Sequence, residues 1–235
     1  MGGLAADVII IQQSNNPTPQ CFMRFASRAD AGRRLGQHLA EQAVKADWVL
    51  GLPRGGVVVA AEVARALRRP LDVLIVRKIG HPWQREFAVG ALAEPDVVVL
   101  DKSFKWKNSL ARAEFDAVIV EEKERLREYR SQFHRAAMPV LDGQKVLLVD
   151  DGWATGATAE AAVISAKQQK AQGVIVAAPV ASTNAVARLR HAADEVAVLF
   201  VDPMFEAVGQ YYAEFSQTSD EEVKALLRAA EDFTK

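Results

Sequence analysis

Short, almost unbroken runs of apolar residues alternate with longer segments of helical periodicity along most of this chain. Two of the runs are KVLLV at Lys145–Val149 and VIVAAPV at 174–180. Apolar runs of this length predict strands that are buried on both faces, as in a parallel sheet. The segments between them are long enough to be the helical crossovers that parallel strands require. The chain is therefore predicted to be an α/β protein with a doubly wound, mostly parallel central sheet flanked by helices.

The elements follow this alternation from the N-terminus onward. An edge strand is predicted at 7–11, and a helix with a capping-box-like start is predicted at 27–46. Further strands are predicted at 48–50, 72–77, 97–100, 145–149, 174–179 and 195–201, and further helices at 57–67, 108–133, 157–171, 183–191 and 219–232. Ligands of such sheets bind at the carboxyl ends of the strands, so the loops there are the candidate sites.

The composition narrows the classes of protein. The chain has 235 residues, enough for one α/β domain with a small appendage, and its net charge of −1 predicts no nucleic-acid partner. Cys21 is the only cysteine, so no intramolecular disulfide and no cysteine-based zinc site are expected. No apolar run approaches the ~18 residues of a membrane span, and the N-terminus lacks the basic region of a signal peptide. We expect a cytoplasmic protein without membrane association.

The stretch VLLVDDGWATGAT, at 146–158, places Asp150 and Asp151 at the end of a predicted strand. The loop that follows leads into a predicted helix, and the N–H groups and positive dipole end of a helix N-terminus suit a phosphate. This loop consists of Ala154, Thr155, Gly156, Ala157 and Thr158. The aspartates repel phosphate and suit hydroxyl groups or a cation, so a sugar phosphate meets both needs. The alternatives are a solvated aspartate pair beside a helix cap, or a Mg²⁺ site of a phosphotransfer protein. The string is neither a P-loop nor a G-x-G-x-x-G turn.

Two further strand-end loops carry basic residues. In GLPRGG, at 51–56, Gly55 and Gly56 permit unusual backbone torsions and Arg54 offers a forked cation to phosphate oxygens. In VRKIG, at 76–80, Arg77 and Lys78 end a predicted strand. Taken alone, the first loop is a tight turn with a surface arginine.

In this order, the three loops resemble the motifs of type I phosphoribosyltransferases. The stretches PRGGVVVAAEVA, RKIG…EFAVGALAE and FEAVGQYYAEF extend the resemblance over about 25–227, to a group of bacterial members whose acceptor is unknown. The resemblance implies transfer of the 5-phosphoribosyl group from 5-phosphoribosyl 1-pyrophosphate (PRPP) to a nitrogen acceptor, such as a nucleobase, with pyrophosphate release. It assigns the ribose hydroxyls to Asp150 and Asp151, the 5-phosphate to the loop 154–158, and the pyrophosphate to Arg54, Gly55, Gly56, Arg77 and Lys78. It makes Asp150, Asp151, Arg77 and Lys78 the catalytic candidates.

The resemblance also implies further parts of the molecule. Mg²⁺ is expected to be held mainly by PRPP and water, and 81–86 is a lid or, alternatively, a structured connector. The expected divisions are an N-terminal segment at 1–26 that is flexible or part of a small hood, a core at 27–200, and a hood with the final helix at 201–235. Acceptor stacking is assigned to Phe200, Phe205, Tyr211 or Tyr212, with packing of the last helix as the alternative. Many relatives are dimers, with Trp106 and the long helix as the candidate interface. A non-proline cis peptide is expected in the loop of Arg54.

Two departures from the family pattern bear on the acceptor. Ala154 stands where 6-oxopurine enzymes carry a general-base aspartate, which disfavours hypoxanthine or guanine and leaves adenine-type, orotate-type or unusual acceptors open. Trp153 replaces a small aliphatic residue and either shapes the pocket or packs on a partner. The competing functions are a non-catalytic PRPP- or nucleotide-binding regulator and an enzyme that cleaves nucleoside phosphates towards PRPP. The basic residues Arg54, Arg77 and Lys78 favour a transferase, and no helix-turn-helix is evident.

Overall fold

The computed structural model describes residues 7–13, 24–100, 109–134, 139–230 and 233. The strands are β1 (Asp7–Gln13), β2 (Trp48–Gly51), β3 (Leu71–Val73), β4 (Val76–His81), β5 (Gln84–Ala93), β6 (Val97–Leu100), β7 (Lys145–Val149), β8 (Gly173–Ser182) and β9 (Glu195–Asp202). The helices are α1 (Arg28–Glu41), α2 (Gly55–Leu67), α3 (Ser109–Phe133), α4 (Ala157–Gln168), α5 (Thr183–Arg190) and α6 (Asp220–Ala229), with a 3₁₀ turn at Val208–Tyr211.

Six strands form a parallel sheet in the order β1-β9-β8-β7-β2-β3, which confirms the predicted fold class. Successive residues of β7 point to opposite faces, and both faces are covered. Leu147 and Val149 join a buried cluster with α1 and α2, whereas Val146 and Leu148 join a second cluster with α4 and α5. The chain proceeds outward from β2 in one direction and from β7 in the other. The strand order therefore reverses between β2 and β7, where ligands of open α/β sheets bind.

The prediction of a single strand at 72–77 is wrong, because the chain leaves the parallel sheet after β3. The amide of Leu74 still donates to Gly51, but that of Ile75 donates to the Glu94 carboxylate, at 2.8 Å. β4 then pairs with β5 and β5 with β6 in a separate antiparallel sheet. The segment after Lys78 is thus part of a hairpin, and the lid at 81–86 stays a prediction. β5 was not predicted.

A buried ionic network joins the two sheets to the end of α3. Glu94 is fully buried, and its carboxylate lies 3.0 Å from His134 Nε2 and 3.3 Å from Arg130 Nε. His134 Nδ1 lies 3.2 Å from Asp72 Oδ1. Burial tends to lower the pKa of His134, but hydrogen bonds and charges of Asp72 and Glu94 outweigh it and raise the pKa to about 9. The imidazole is therefore protonated at neutral pH, and it balances a carboxylate that would otherwise be costly to bury.

Helix α1 begins as predicted and ends early. Ser27 Oγ accepts a hydrogen bond from the Asp30 amide, and Asp30 Oδ2 accepts one from the Ala26 amide, so the start of the helix is fixed. The helix ends at Glu41 rather than at 46, because Ala43 adopts a left-handed φ of 52°. The predicted limits of other elements shift similarly: β8 runs to Ser182, α4 ends at Gln168, and the predicted helix limits at 108 and 232 lie outside the described residues.

Candidate active site

The loops that follow β2 and β7 touch each other at the point where the strand order reverses. A Cβ atom on Gly55 would lie 2.2 Å from Asp151 Oδ2, and one on Gly56 would lie 2.8 Å from the Val149 carbonyl oxygen. Neither glycine has a positive φ, so close approach, and not an unusual torsion as predicted, is the reason for glycine here. The peptide bond between Pro53 and Arg54 is cis, which confirms the expectation for this loop.

Each carboxylate of the aspartate pair is held through one of its oxygens. Asp150 Oδ1 accepts a hydrogen bond from the Asp151 amide at 2.9 Å, and Asp151 Oδ2 accepts one from Arg28 Nε at 2.7 Å. Asp150 Oδ2 and Asp151 Oδ1 accept no hydrogen bond from the described residues, which leaves one oxygen per residue for a ligand. Burial, followed by the charge of Asp151, raises the pKa of Asp150, while Lys78 and Arg28 oppose the rise. Such a pair favours hydroxyl groups or a cation.

The loop 154–158 presents the uncapped N-terminus of α4. Gly156 is the N-cap residue with φ of 72°, and no side chain caps the helix. The Ala157 amide lies 3.4 Å from Thr155 Oγ1, a long distance for a hydrogen bond. Ala154 and Thr155 are exposed, and Thr158 is half-buried. The N–H groups of the first turn are consequently available to an anion, as the sequence predicted.

Helix α5 fixes the carbonyl groups of the same loop. The Ser182 hydroxyl donates to the Ala154 carbonyl at 2.6 Å, and Arg188 Nη1 donates to the Thr155 carbonyl at 3.3 Å. Arg188 Nε also donates to Glu160 in the first turn of α4, at 2.7 Å. A pocket of about 150 Å³ adjoins Thr155, Ala157, Glu160 and Arg188, and β5 and β6 border it on another side. The loop therefore has a fixed backbone and an open neighbouring volume.

One of the three predicted basic residues, Lys78, acts electrostatically on the aspartate pair. Arg54 is about one-third exposed, with Nη1 3.5 Å from Asp220 Oδ1. Lys78 is exposed and makes no ion pair within the described part of the chain, and its charge acts on Asp150. Arg77 points to the opposite face of β4, where its Nε donates to Glu122 at 2.8 Å. The structure thus places Arg77 against α3, apart from Lys78.

The aromatic residues predicted to stack on an acceptor form a structural cluster. Tyr211 is fully buried, and its hydroxyl donates to Asp202 at 2.7 Å. Its ring stacks on Phe205 at 5.2 Å and meets the edge of Phe200 at 6.0 Å. Tyr211 therefore cannot stack on a ligand in this conformation, and Phe200 is almost as deeply buried. These rings share a buried cluster with the last helix, α6, in line with the alternative that they pack the C-terminal helix onto the core.

Two residues at the site, Arg28 and Phe215, were not predicted. The Phe215 ring is 40% exposed, stacks on Tyr212 at 5.1 Å and lies 3.8 Å from the Arg28 guanidinium. Tyr212 is buried, and its hydroxyl donates to the Asp151 carbonyl at 2.5 Å. Phe215 ends the quoted stretch FEAVGQYYAEF, which was a usable signal. Arg28 gave none, because its partner Asp151 is 123 residues away in the sequence.

Trp153 is a core residue. It is 2% exposed, its backbone bridges to Ala181, and it packs in the cluster on the α4 and α5 face of the sheet. Contact with a partner protein is therefore not its role in this structure. The second candidate for an interface, Trp106, lies outside the described residues.

Residues able to bind a metal are few in the described part of the chain. No group of three or more His, Cys, Asp or Glu side chains there is placed to hold a metal ion. Asp150 and Asp151 each keep one oxygen that accepts no hydrogen bond from the described residues, which is compatible with Mg²⁺, since that ion usually takes one or two carboxylates and completes its shell with phosphates and water. Among the described helices, none has the length and apolar character needed to cross a membrane.

Comparison with known proteins gives a consistent family assignment. The model of the phosphoribosyl transferase domain matches residues 26–215. Two proteins of Mycobacterium tuberculosis, "Putative phosphoribosyl transferase MT0597" of strain CDC 1551 / Oshkosh and "Putative phosphoribosyl transferase Rv0571c" of strain ATCC 25618 / H37Rv, are each 47% identical over 213 residues. The match covers 90% of this chain and 48% of each relative, so the chain spans about half the length of these relatives. The crystal structure of TT1426 from Thermus thermophilus is 44% identical with a TM-score of 0.72, over 87% of this chain and 98% of that one.

Proposed function

This chain belongs to the phosphoribosyl transferase domain family, and we propose that it transfers the 5-phosphoribosyl group of PRPP to a nitrogen acceptor, a nucleobase or a related compound. The observation that carries the proposal is the acid pair beside the uncapped start of α4. Asp150 and Asp151 each keep one oxygen for a hydroxyl group, and the loop 154–158 offers N–H groups to a phosphate. The carboxylates suit hydroxyl groups and the loop amides suit an anion. A ribose 5-phosphate carries both hydroxyl groups and a phosphate.

In the proposed reaction, the bond between ribose C1 and the pyrophosphate oxygen breaks, and pyrophosphate leaves with the electron pair. The acceptor nitrogen donates its lone pair to C1 from the opposite face and loses its proton. Positive charge develops on the sugar during this exchange, so Asp150 and Asp151 orient the hydroxyls and stabilise that charge. Arg54 and Lys78 are the proposed contacts of the leaving pyrophosphate, whose negative charge increases as the bond breaks. Gly55 and Gly56 let the loop that carries Arg54 approach the acid pair closely.

Mg²⁺ fits this proposal as a partner of the donor. It would be held mainly by the phosphates of PRPP and by water, because the aspartate oxygens that lack a hydrogen bond are assigned here to the ribose hydroxyls. When bound, the ion neutralises pyrophosphate and makes it a better leaving group.

The acceptor class is narrowed by Ala154, which has no ionisable group. Its side chain cannot take a proton from a 6-oxopurine, and its carbonyl is held by Ser182. The proposed acceptor is therefore a nitrogen compound that reaches the site with a lone pair already available, or that loses its proton to solvent. Adenine-type and orotate-type molecules are the first to test.

The test measures pyrophosphate release from PRPP and Mg²⁺ with a panel of nucleobases and amines. We expect release with at least one acceptor, and loss of release in Asp150→Asn with Asp151→Asn, because the ribose hydroxyls then lack a carboxylate. Asp142→Asn is the matched control, since Asp142 is exposed in the turn before β7. Tight PRPP binding without release for any acceptor would refute the transferase and support a PRPP-binding regulator. Equal activity of the double variant and Asp142→Asn would refute the assignment of the acid pair.

A further inference from the structure

Arg28, the first residue of α1, connects three segments that are remote in the sequence. Its Nε donates to Asp151 Oδ2 at 2.7 Å, and its Nη1 donates to the Ser216 carbonyl at 2.7 Å. The same guanidinium lies 3.8 Å from the centre of the Phe215 ring. The Arg28 and Asp151 side chains are only 12% and 15% exposed. A charge-assisted contact that is this well shielded from water is stronger than a surface ion pair.

We propose that Arg28 is a positioning residue, which turns one oxygen of Asp151 towards the donor's ribose and clamps residues 215–216 beside it. The proposal rests on the proposed function, because it takes the ribose of PRPP as the ligand of Asp151. Arg28 itself touches no substrate in this arrangement. Its effect is to select one orientation of a carboxylate that would otherwise rotate.

The backbone around Arg28 is arranged to allow these contacts. The reciprocal hydrogen bonds of Ser27 and Asp30 fix the start of α1 and so fix the position from which the Arg28 side chain extends. A Cβ atom on Gly55 would lie 2.7 Å from Arg28 Nε, so the bare glycine also leaves room for the guanidinium. The planar guanidinium donates in two fixed directions while its face lies against a ring, a geometry that a lysine ammonium does not reproduce.

Asp151 is restrained at its backbone as well as at its side chain. Tyr212 donates its hydroxyl to the Asp151 carbonyl and stacks on Phe215, which in turn lies against Arg28. The aspartate and the segment 212–216 therefore form one interlocked group. Among the described residues, the charged and titratable groups that interact with Asp151 are Arg28, Asp150 and the Tyr212 phenol. Arg28 is the one among them that binds its carboxylate directly.

The test compares Arg28→Ala and Arg28→Lys with Arg33→Ala, whose arginine lies on the same helix but is 60% exposed and, among the described residues, pairs with Asp30 alone. Calorimetry with PRPP and Mg²⁺ gives the Kd, and hydrogen exchange of 213–219 reports the clamp. We expect Arg28→Ala to raise the Kd about tenfold to hundredfold, through loss of a charge-assisted hydrogen bond, and to speed exchange of the segment. Arg28→Lys should restore part of the affinity but not the slow exchange, and Arg33→Ala should behave as wild type.

The outcomes separate this inference from the proposed function. Wild-type affinity and exchange in folded Arg28→Ala would overturn the positioning role. Equal effects of Arg28→Ala and Arg33→Ala would overturn it too. A wild-type protein that does not bind PRPP refutes the proposed function and the ribose-orienting role, and the exchange measurement then decides the clamp alone. If Arg28→Ala does not fold, Phe215→Leu replaces it, and unchanged exchange of 213–219 in that variant refutes the clamp.

Discussion

Gly55→Ala is predicted to abolish tight PRPP binding while leaving the fold intact. The new Cβ atom would lie 2.2 Å from Asp151 Oδ2, whereas real Cβ contacts are essentially never below 3.0 Å. The carboxylate must therefore move by at least about 0.8 Å, and its bond with Arg28 Nε is disturbed, since that atom lies 2.7 Å from the same Cβ. A displacement near 1 Å in a preorganised site can cost about 100-fold in rate, and we expect a loss of PRPP affinity in the same direction. The atoms in the way belong to side chains, so the backbone is spared and little stability is lost.

Gly56→Ala should differ, because its Cβ would meet backbone atoms: the Val149 carbonyl oxygen at 2.8 Å and Asp150 Cα at 2.9 Å. Backbone cannot rotate away, so we expect a loss of about 1–3 kcal/mol in the free energy of unfolding as well as weaker binding. Gly173→Ala is the matched control, as its nearest atom, Lys145 Cγ, is 3.6 Å away. Calorimetry with PRPP and chemical denaturation measure the two effects. If Gly55→Ala binds PRPP as tightly as Gly173→Ala, the close contact of the two loops does not serve the donor.

Three further predictions concern the supports of the fold and site. The pKa of His134 is raised to about 9, so its stabilising charge is fully present below its ordinary pKa of 6.5 and is lost as pH rises through about 9. Chemical denaturation should therefore show a free energy of unfolding that falls between pH 6 and 10, and His134→Gln should reduce this dependence on pH. Ser182→Ala removes the hydrogen bond to the Ala154 carbonyl and the N-cap of α5, and it should weaken PRPP binding measured by calorimetry. Unchanged affinity would show that the loop 154–158 does not need this support to bind PRPP. Tyr211→Phe should cost about 1–3 kcal/mol of unfolding free energy, since buried Asp202 loses a donor, without altering the KM of an acceptor; a changed KM would contradict its structural role.

Much of the fold was readable because the parallel strands are apolar on both sides. The run at 145–149 was placed without error, since VLLV has no polar residue to make its period ambiguous. The second sheet was missed for the opposite reason. The chain leaves the parallel sheet at Leu74 and Ile75, two apolar residues that continue the pattern of the strand before them, and the cause of the departure is Glu94, 19 residues further on. The residues next to Leu74 and Ile75 in the sequence contain no sign of a hydrogen-bond partner that far away.

The site was predictable where its residues lie close together in the sequence. The loop 154–158 and the pair Asp150 and Asp151 are nearly contiguous, so the sequence alone placed the acid pair beside the N-terminus of α4. The direction of Arg77 and the contacts of Arg28 depend on packing between remote elements and were out of reach. The domain limits, the dimer and the cytoplasmic location stay predictions.

The most direct measurement of the central claim is a crystal structure of the chain with PRPP and Mg²⁺. The account predicts the 5-phosphate within hydrogen-bonding distance of amides in the loop 154–158, and the ribose hydroxyls on Asp150 and Asp151. The pyrophosphate should lie towards Arg54 and Lys78. A donor bound with its 5-phosphate away from that loop, or with its hydroxyls on residues other than the two aspartates, would contradict the account.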